Sequence, residues 1–219
     1  MTKAIFSWPD FDKIPIIGIM RNLPLERVGH IATYFSEAGL TNLEVTMNTP
    51  GAANIISKLA SDFGNCLNVG AGTVCSIDEL ELALSAGAQF IVSPFVNEKV
   101  IRYCVRKNIP VFPGAYTPTE IYCAWSLGAS MVKIFPASGL GPGYIRDILA
   151  PFSGLKLLPT GGVNLENLPA FFKAGASGVG IGSELFPQRF LNTSNWDELV
   201  LHFAKFKAVY ENCIKPKKP

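Results

Sequence analysis

Short runs rich in apolar and β-branched residues recur along this chain, and stretches with helical spacing separate them. The strand-like runs cover residues 14–20, 42–47, 67–72, 90–94, 111–115, 131–136, 156–159 and 178–182. Helical pattern covers 24–38, 52–63, 77–86, 98–107, 118–127, 144–149 and 165–174, and a last helix is predicted over 196–210. Ser76-Ile77-Asp78-Glu79 and Thr117-Pro118-Thr119-Glu120 read as capping boxes, each with a hydroxyl for exposed amides and a glutamate three residues later. Gly39, Gly87, Gly128 and Gly175 each follow a helical run, where a left-handed C-terminal cap suits glycine.

Alternation of strand and helix predicts an α/β fold with a parallel sheet, because each crossover must return over the sheet's face. No Pro/Gly/Ser-rich linker divides the chain. The simplest closure is a single (β/α)8 TIM barrel over 1–219, with the barrel proper at about 14–190 and a C-terminal helix at about 194–212. A short extra segment precedes the first run. A doubly wound open sheet is the alternative, but no G-x-G-x-x-G follows the first run and all eight units have similar length.

Composition narrows the partners. Hydrophobic residues make up 48% of the 219 and charged residues 16%, and the net charge is +2, so material for a core is plentiful. The one dense basic run, Lys215-Pro216-Lys217-Lys218, reads as a solvated tail. No nucleic-acid or membrane partner is expected. The five cysteines are scattered without a C-x-x-C pair and read as buried thiols of a reducing compartment. The longest apolar stretch, 14–20, is far too short to span a bilayer, and no apolar signal core precedes it. The expectation is a soluble, cytoplasmic protein.

Chemistry collects where a barrel of this kind carries its active site, at the C-terminal ends of the strands. Lys133 interrupts the apolar run Met131-Val132-Lys133-Ile134-Phe135-Pro136. An amine in apolar surroundings loses part of its preference for the charged form, and a neutral amine can condense with a ketone. Glu44, between Leu43 and Val45, is expected to point into the barrel, as a general acid/base or as a neutralising partner of Lys133. Gly161-Gly162 after the seventh run and Gly180-Ile181-Gly182-Ser183 after the eighth read as phosphate loops, whose amides and following helix N-termini would face an anion. Only two histidines occur, His30 and His202, both within predicted helices and read as ordinary helix residues. No histidine/carboxylate cluster suits a metal, so no metal site is expected.

Six segments together resemble the family of 2-keto-3-deoxy-6-phosphogluconate (KDPG) and 4-hydroxy-2-oxoglutarate (KHG) aldolases. They are Leu43-Glu44-Val45-Thr46, Val69-Gly70-Ala71-Gly72-Thr73-Val74, Ile91-Val92-Ser93-Pro94, Pro113-Gly114, Lys133-Ile134-Phe135-Pro136-Ala137 and Pro159-Thr160-Gly161-Gly162-Val163. The resemblance implies a class I aldolase with Lys133 as the Schiff-base lysine and Glu44 as the acid/base. It implies that Thr73 holds the pyruvate end, that Pro94, Phe135 and Thr160 line the pocket, and that Gly161, Gly162, Gly182 and Ser183 receive the phosphate. It also implies homotrimers working without a cofactor on a small keto-acid phosphate.

One departure bears on the substrate. The phosphogluconate branch usually carries an arginine where this chain has Asn48. The related phosphogalactonate branch is more similar there, and at Ile19-Met20-Arg21 and Gly141-Pro142-Gly143-Tyr144-Ile145. Arg21 is therefore the candidate carboxylate partner, since a guanidinium grips a carboxylate bidentately. Thr46 follows the phosphogluconate pattern. The expected activity is cleavage of KDPG to pyruvate and glyceraldehyde 3-phosphate, with 4-hydroxy-2-oxoglutarate as a further substrate and the phosphogalactonate analogue as the alternative. A phosphosugar isomerase or epimerase, and a sugar-phosphate sensor without activity, are the rival classes.

Overall fold

The computed structural model describes residues 5–152 and 154–214, so the basic run at 215–218 lies outside the described residues. Every strand pairing is parallel. Strands β1 (Ile16–Met20), β2 (Asn42–Thr46), β3 (Asn68–Gly72), β4 (Phe90–Val92), β5 (Val111–Phe112) and β9 (Val179–Ile181) form one sheet in the order β5-β4-β3-β2-β1-β9. Strands β6 (Gly114–Ala115), β7 (Val132–Ile134) and β8 (Leu157–Pro159) form the second, in the order β6-β7-β8.

The two sheets are one curled ring. A parallel bridge between Thr160 and Gly180 joins the end of β8 to β9. At the other seam Pro113 lies between β5 and β6, and its missing N–H breaks the ladder there. The Lys133 amide donates to the Pro113 carbonyl at 2.9 Å, which carries the ring across the break. The expected eight strands thus become nine segments among the described residues because the fifth is interrupted, and the architecture is the (β/α)8 TIM barrel.

Helices α2 (Leu25–Glu37), α3 (Ala52–Phe63), α4 (Ile77–Ser85), α5 (Glu98–Arg106), α6 (Pro118–Ser126), α7 (Gly141–Leu149), α8 (Leu168–Lys173), α9 (Gln188–Asn192) and α10 (Trp196–Ile214) follow the strands in chain order, after an initial α1 (Trp8–Lys13). The box at Thr117 and Glu120 is complete. At Ser76 it is only half formed, because the Glu79 carboxylate accepts from the Cys75 amide instead. Gly39, Gly87, Gly128 and Gly175 have φ of 80°, 105°, 95° and 100°, the left-handed caps expected after helical runs. Helix α8 begins at Leu168, three residues late, because Asn164 and Asn167 tie the preceding turn by reciprocal bonds of 2.9 and 3.0 Å. The cysteine expectation is corrected: of the five free thiols only Cys104 is buried, and Cys66 and Cys123 are exposed. No helix among the described residues is long and apolar enough to cross a membrane.

Strand alternation sorts side chains into two cores. Leu43, Val45, Val132 and Ile134 belong to the cluster shared with the helices. Ile17, Ile19, Phe90, Val92, Phe112, Met131 and Leu158 form a separate cluster inside the ring with Phe6 and Phe11. Because successive residues face opposite ways, Glu44 and Lys133 share the interior face with that second cluster.

The extra N-terminal segment plugs the bottom of this interior. Phe6 and Phe11 pack on Phe112 at ring-centroid distances of 6.4 and 6.2 Å. The Asn68 amide group donates to Ser7 O at 3.0 Å and to Asn42 Oδ1 at 2.9 Å, which satisfies the polar groups buried there. Phe11→Ala is expected to destabilise the protein by about 3–5 kcal/mol, the cost of emptying a fully buried ring. Urea unfolding measures the loss, and activity per folded molecule should stay near wild type because the plug lies at the end away from the cavity.

Candidate active site

Glycine makes room for the chemistry. The inward positions of β3 are Asn68, Gly70 and Gly72, so above the asparagine this wall has no side chains. A Cβ at Gly72 would collide with the Glu44 carboxylate, and one at Gly70 with the Phe90 ring. On β9, a Cβ at Gly180 would collide with the Thr160 hydroxyl. Glu44, in register with Ile19 and Gly70, therefore lays its carboxyl against bare backbone.

Lys133 lies in register with Gly114 and Leu158, with the side chain of Met131 beneath it on the same face. It is 5% exposed and Glu44 is 2% exposed. The Lys133 amine lies 4.8 Å from the centroid of the Phe135 ring. Among the described residues no ion pair joins Lys133 to Glu44; the four ion pairs are all on the surface.

Burial therefore governs both groups. It pushes the Lys133 amine below the ordinary lysine range, with Arg21 repelling the proton further and Glu44 opposing. It pushes the Glu44 carboxyl above the ordinary carboxylate range, against the attraction of Lys133 and Arg21. Both shifts favour the neutral forms, which are a nucleophilic amine and a carboxylic acid able to give a proton.

A cavity of about 360 Å³ opens above, which is within the usual size of a small-molecule site. Arg21, Phe135, Thr160, Gly161, Gly162, Gly182 and Ser183 line it. Gly161 and Gly162 have φ of 92° and 76°, and a Cβ at Gly162 would crowd Ser138. Among the described residues, the loop backbone hydrogen bonds use no amide of Gly161, Gly162, Gly182 or Ser183 as donor. The helix dipoles expected behind these loops do not stand there. Helix α8 begins six residues after Gly162, and Gly182 to Phe186 forms only a turn, with Leu185 N and Phe186 N donating to Gly182 O.

Lys133, Glu44, Thr73 and Pro94 are not part of this lining; Phe135, which the Lys133 amine approaches, and Ile19, in register with Glu44, are. Thr73 has φ of 56°, a left-handed conformation costly for a β-branched residue, of the sort concentrated at functional sites. Leu23, Glu184, Phe186 and Gln188 also line the cavity, and no sequence signal marks them. The inward glycines did leave one, in the alternation Asn68, Gly70, Gly72. No cluster of three or more metal-ligating side chains occurs among the described residues.

Gly72→Ala is expected to displace the Glu44 carboxyl and lower turnover by about a hundredfold or more while the protein still folds. Steady-state rates and circular dichroism test this, and an active alanine variant would contradict the packing described.

The comparisons agree with this geometry. A family model described as KDPG and KHG aldolase matches residues 10–201. The 2-dehydro-3-deoxy-6-phosphogalactonate aldolase of Escherichia coli (strain K12) is 35% identical over 80% of this chain and 85% of its own length. The 2-dehydro-3-deoxy-phosphogluconate aldolase of Haemophilus influenzae is 33% identical over 77% of this chain and 80% of its own. Among solved structures, one named "Native KDPGal structure" superposes with a TM-score of 0.86 at 30% identity, covering 92% of this chain and 97% of that one. The KDPG aldolase of Legionella pneumophila, with pyruvate captured as a covalent carbinolamine, superposes with a TM-score of 0.81 at 27% identity, covering 89% and 95%. With most of its length matched and its barrel interior carrying this lysine and glutamate, the chain belongs to the KDPG and KHG aldolase family and is an aldolase.

Proposed function

We propose that the chain is a class I aldolase whose Schiff base forms on Lys133, and that its substrate is KDPG. The observation that carries this reading is the pair itself: a buried amine and a buried carboxyl, both biased toward neutrality, on an interior face where neighbouring Ile19 and Phe135 line the cavity. The lone pair of Lys133 Nζ adds to the C2 ketone, and a proton passes from nitrogen to oxygen to give a carbinolamine. Glu44 protonates the leaving hydroxyl, water departs, and an iminium remains. The Glu44 carboxylate then takes the C4 hydroxyl proton. The C3–C4 bond breaks, its electron pair forms the C2=C3 bond, and the iminium π pair moves onto nitrogen. Glyceraldehyde 3-phosphate leaves, Glu44 returns the proton to C3, and water adds to the iminium to release pyruvate and the free amine. Covalent catalysis here splits one difficult cleavage into several easier steps.

The phosphate is received by the unpaired amides of Gly161, Gly162, Gly182 and Ser183, and the carboxylate by Arg21, with Thr73 at the pyruvate end. Phe135 and Thr160 line the chamber between them, while Pro94, at the end of β4, lies outside that lining. A second reading takes the C4 epimer, the phosphogalactonate analogue, as substrate. It is favoured by Arg21 with Asn48, and relatives of both names stand at 33–35% identity. Thr46 and the similarity to several phosphogluconate aldolases favour KDPG. The reading extends to cleavage of 4-hydroxy-2-oxoglutarate to pyruvate and glyoxylate, and to a cytoplasmic homotrimer with three times the 23.7 kDa mass of one chain in light scattering.

Borohydride reduction in the presence of pyruvate is expected to fix a pyruvyl adduct on Lys133, read by peptide mass, and a chain without that adduct refutes the mechanism. Lys133→Met should lower turnover roughly a thousandfold or more; turnover that survives it would favour an isomerase or epimerase instead. Only the free amine attacks, so trapping should accelerate as pH rises through the depressed amine pKa. Arg21→Met removes a charge that lowers this pKa, so at saturating pyruvate its acid limb should move to higher pH. Pyruvate release from the two C4 epimers decides between the substrates: KDPG faster supports the proposal, and the galactonate epimer faster assigns the alternative.

A further inference from the structure

The turn that follows β9 has an outer side as well as the inner side that faces the cavity. On the outer side Phe186 packs on Phe35 of α2 and Phe203 of α10, at ring-centroid distances of 6.2 and 5.6 Å. Such contacts hold a ring in place but do not orient a peptide plane. Among the described residues, one directional contact reaches this turn from outside the barrel: His202 Nε2 of α10 lies 2.7 Å from the Glu184 carbonyl. The amide of the same peptide unit, Leu185 N–H, donates to Gly182 O at 2.9 Å. A planar peptide bonded at both its carbonyl and its amide has a fixed orientation. It lies immediately after Gly182 and Ser183, whose own amides have no acceptor in the loop hydrogen bonds of the described residues.

We infer that His202 is a specificity-determining positioning residue: by bonding the Glu184 carbonyl it sets the turn whose Gly182 and Ser183 amides receive the substrate phosphate. This rests on the reading of that turn as part of the phosphate site. The His202 ring is itself fixed, lying 5.2 Å from the Phe206 ring in an edge-on contact and 5.6 Å from the Phe190 ring. Arg27 of α2 secures the same segment further on by donating to the Leu191 carbonyl. The latch therefore belongs to α10, most of which lies beyond the residues 10–201 that the family model matches. Because His202 touches neither the amine nor the carboxyl, it acts on phosphate recognition and leaves bond cleavage to Lys133 and Glu44.

The test is the aldol direction with pyruvate and either glyceraldehyde 3-phosphate or unphosphorylated glyceraldehyde. Wild type should prefer the phosphorylated aldehyde. His202→Phe keeps a ring between Phe190 and Phe206 but has no N–H, and it should reduce that preference about tenfold, through KM, with kcat unchanged. The reaction of unphosphorylated glyceraldehyde should keep its wild-type rate, a result that a general loss of stability would not give. His202→Gln, which retains an N–H donor, should restore much of the preference. An unchanged preference in His202→Phe, or an equal fall with both aldehydes, overturns the inference while the phosphate reading stands. A wild-type enzyme indifferent to the phosphate would instead remove the phosphate reading, and this inference with it.

Discussion

Water is excluded from around two ionisable side chains in the middle of a closed parallel sheet, and the rest of the site is arranged around that fact. Lys133 and Glu44 are nearly inaccessible and make no ion pair with each other. A buried pair in contact would lock both groups in their charged forms. Held apart, each loses more by desolvation than it gains from the other's field, so both move toward neutrality. The interior face therefore offers an amine that can attack and an acid that can donate.

The space for these groups is made by absence. Gly70, Gly72 and Gly180 leave backbone walls where other barrels put layers of branched side chains. Below them, aromatic rings and the Asn42–Asn68 pair fill the ring and seal it against the N-terminal segment. The barrel is thus divided along its axis into a packed lower half that holds it together and a glycine-walled upper half that carries Lys133 and Glu44.

Much of this was legible in the chain. Alternation of strand and helix gave the closed parallel architecture, because few other arrangements cover both edges of such a sheet. Lys133 and Glu44 stood out as charges flanked by residues that face the helices, and the period-two rule fixed their direction. Three features were not legible. Pro113 splits the fifth strand, yet a single proline within a short run has no sequence signal for which neighbour takes over its hydrogen bond. The Asn164–Asn167 turn delays α8, and local side-chain bonding of this kind competes with helix start signals. The exposure of Cys66 and Cys123 depends on which helix face meets the sheet, and their burial was expected from residue type alone. Arg21, by contrast, was legible as a candidate at the end of the first run, and it lines the cavity because β1 lies beside β9 in the closed ring.

The protonation state of a single amine is the most direct test of the account. Reductive methylation would modify the lysines chemically, so the measurement is carbon-13 NMR of lysine Cε in uniformly labelled, unmodified enzyme, with Lys133→Met used to assign the signal. The signal lost in that variant should titrate below the group of surface lysines, in keeping with an amine whose pKa burial lowers. A Lys133 signal that titrates together with the surface lysines would contradict the account at its root.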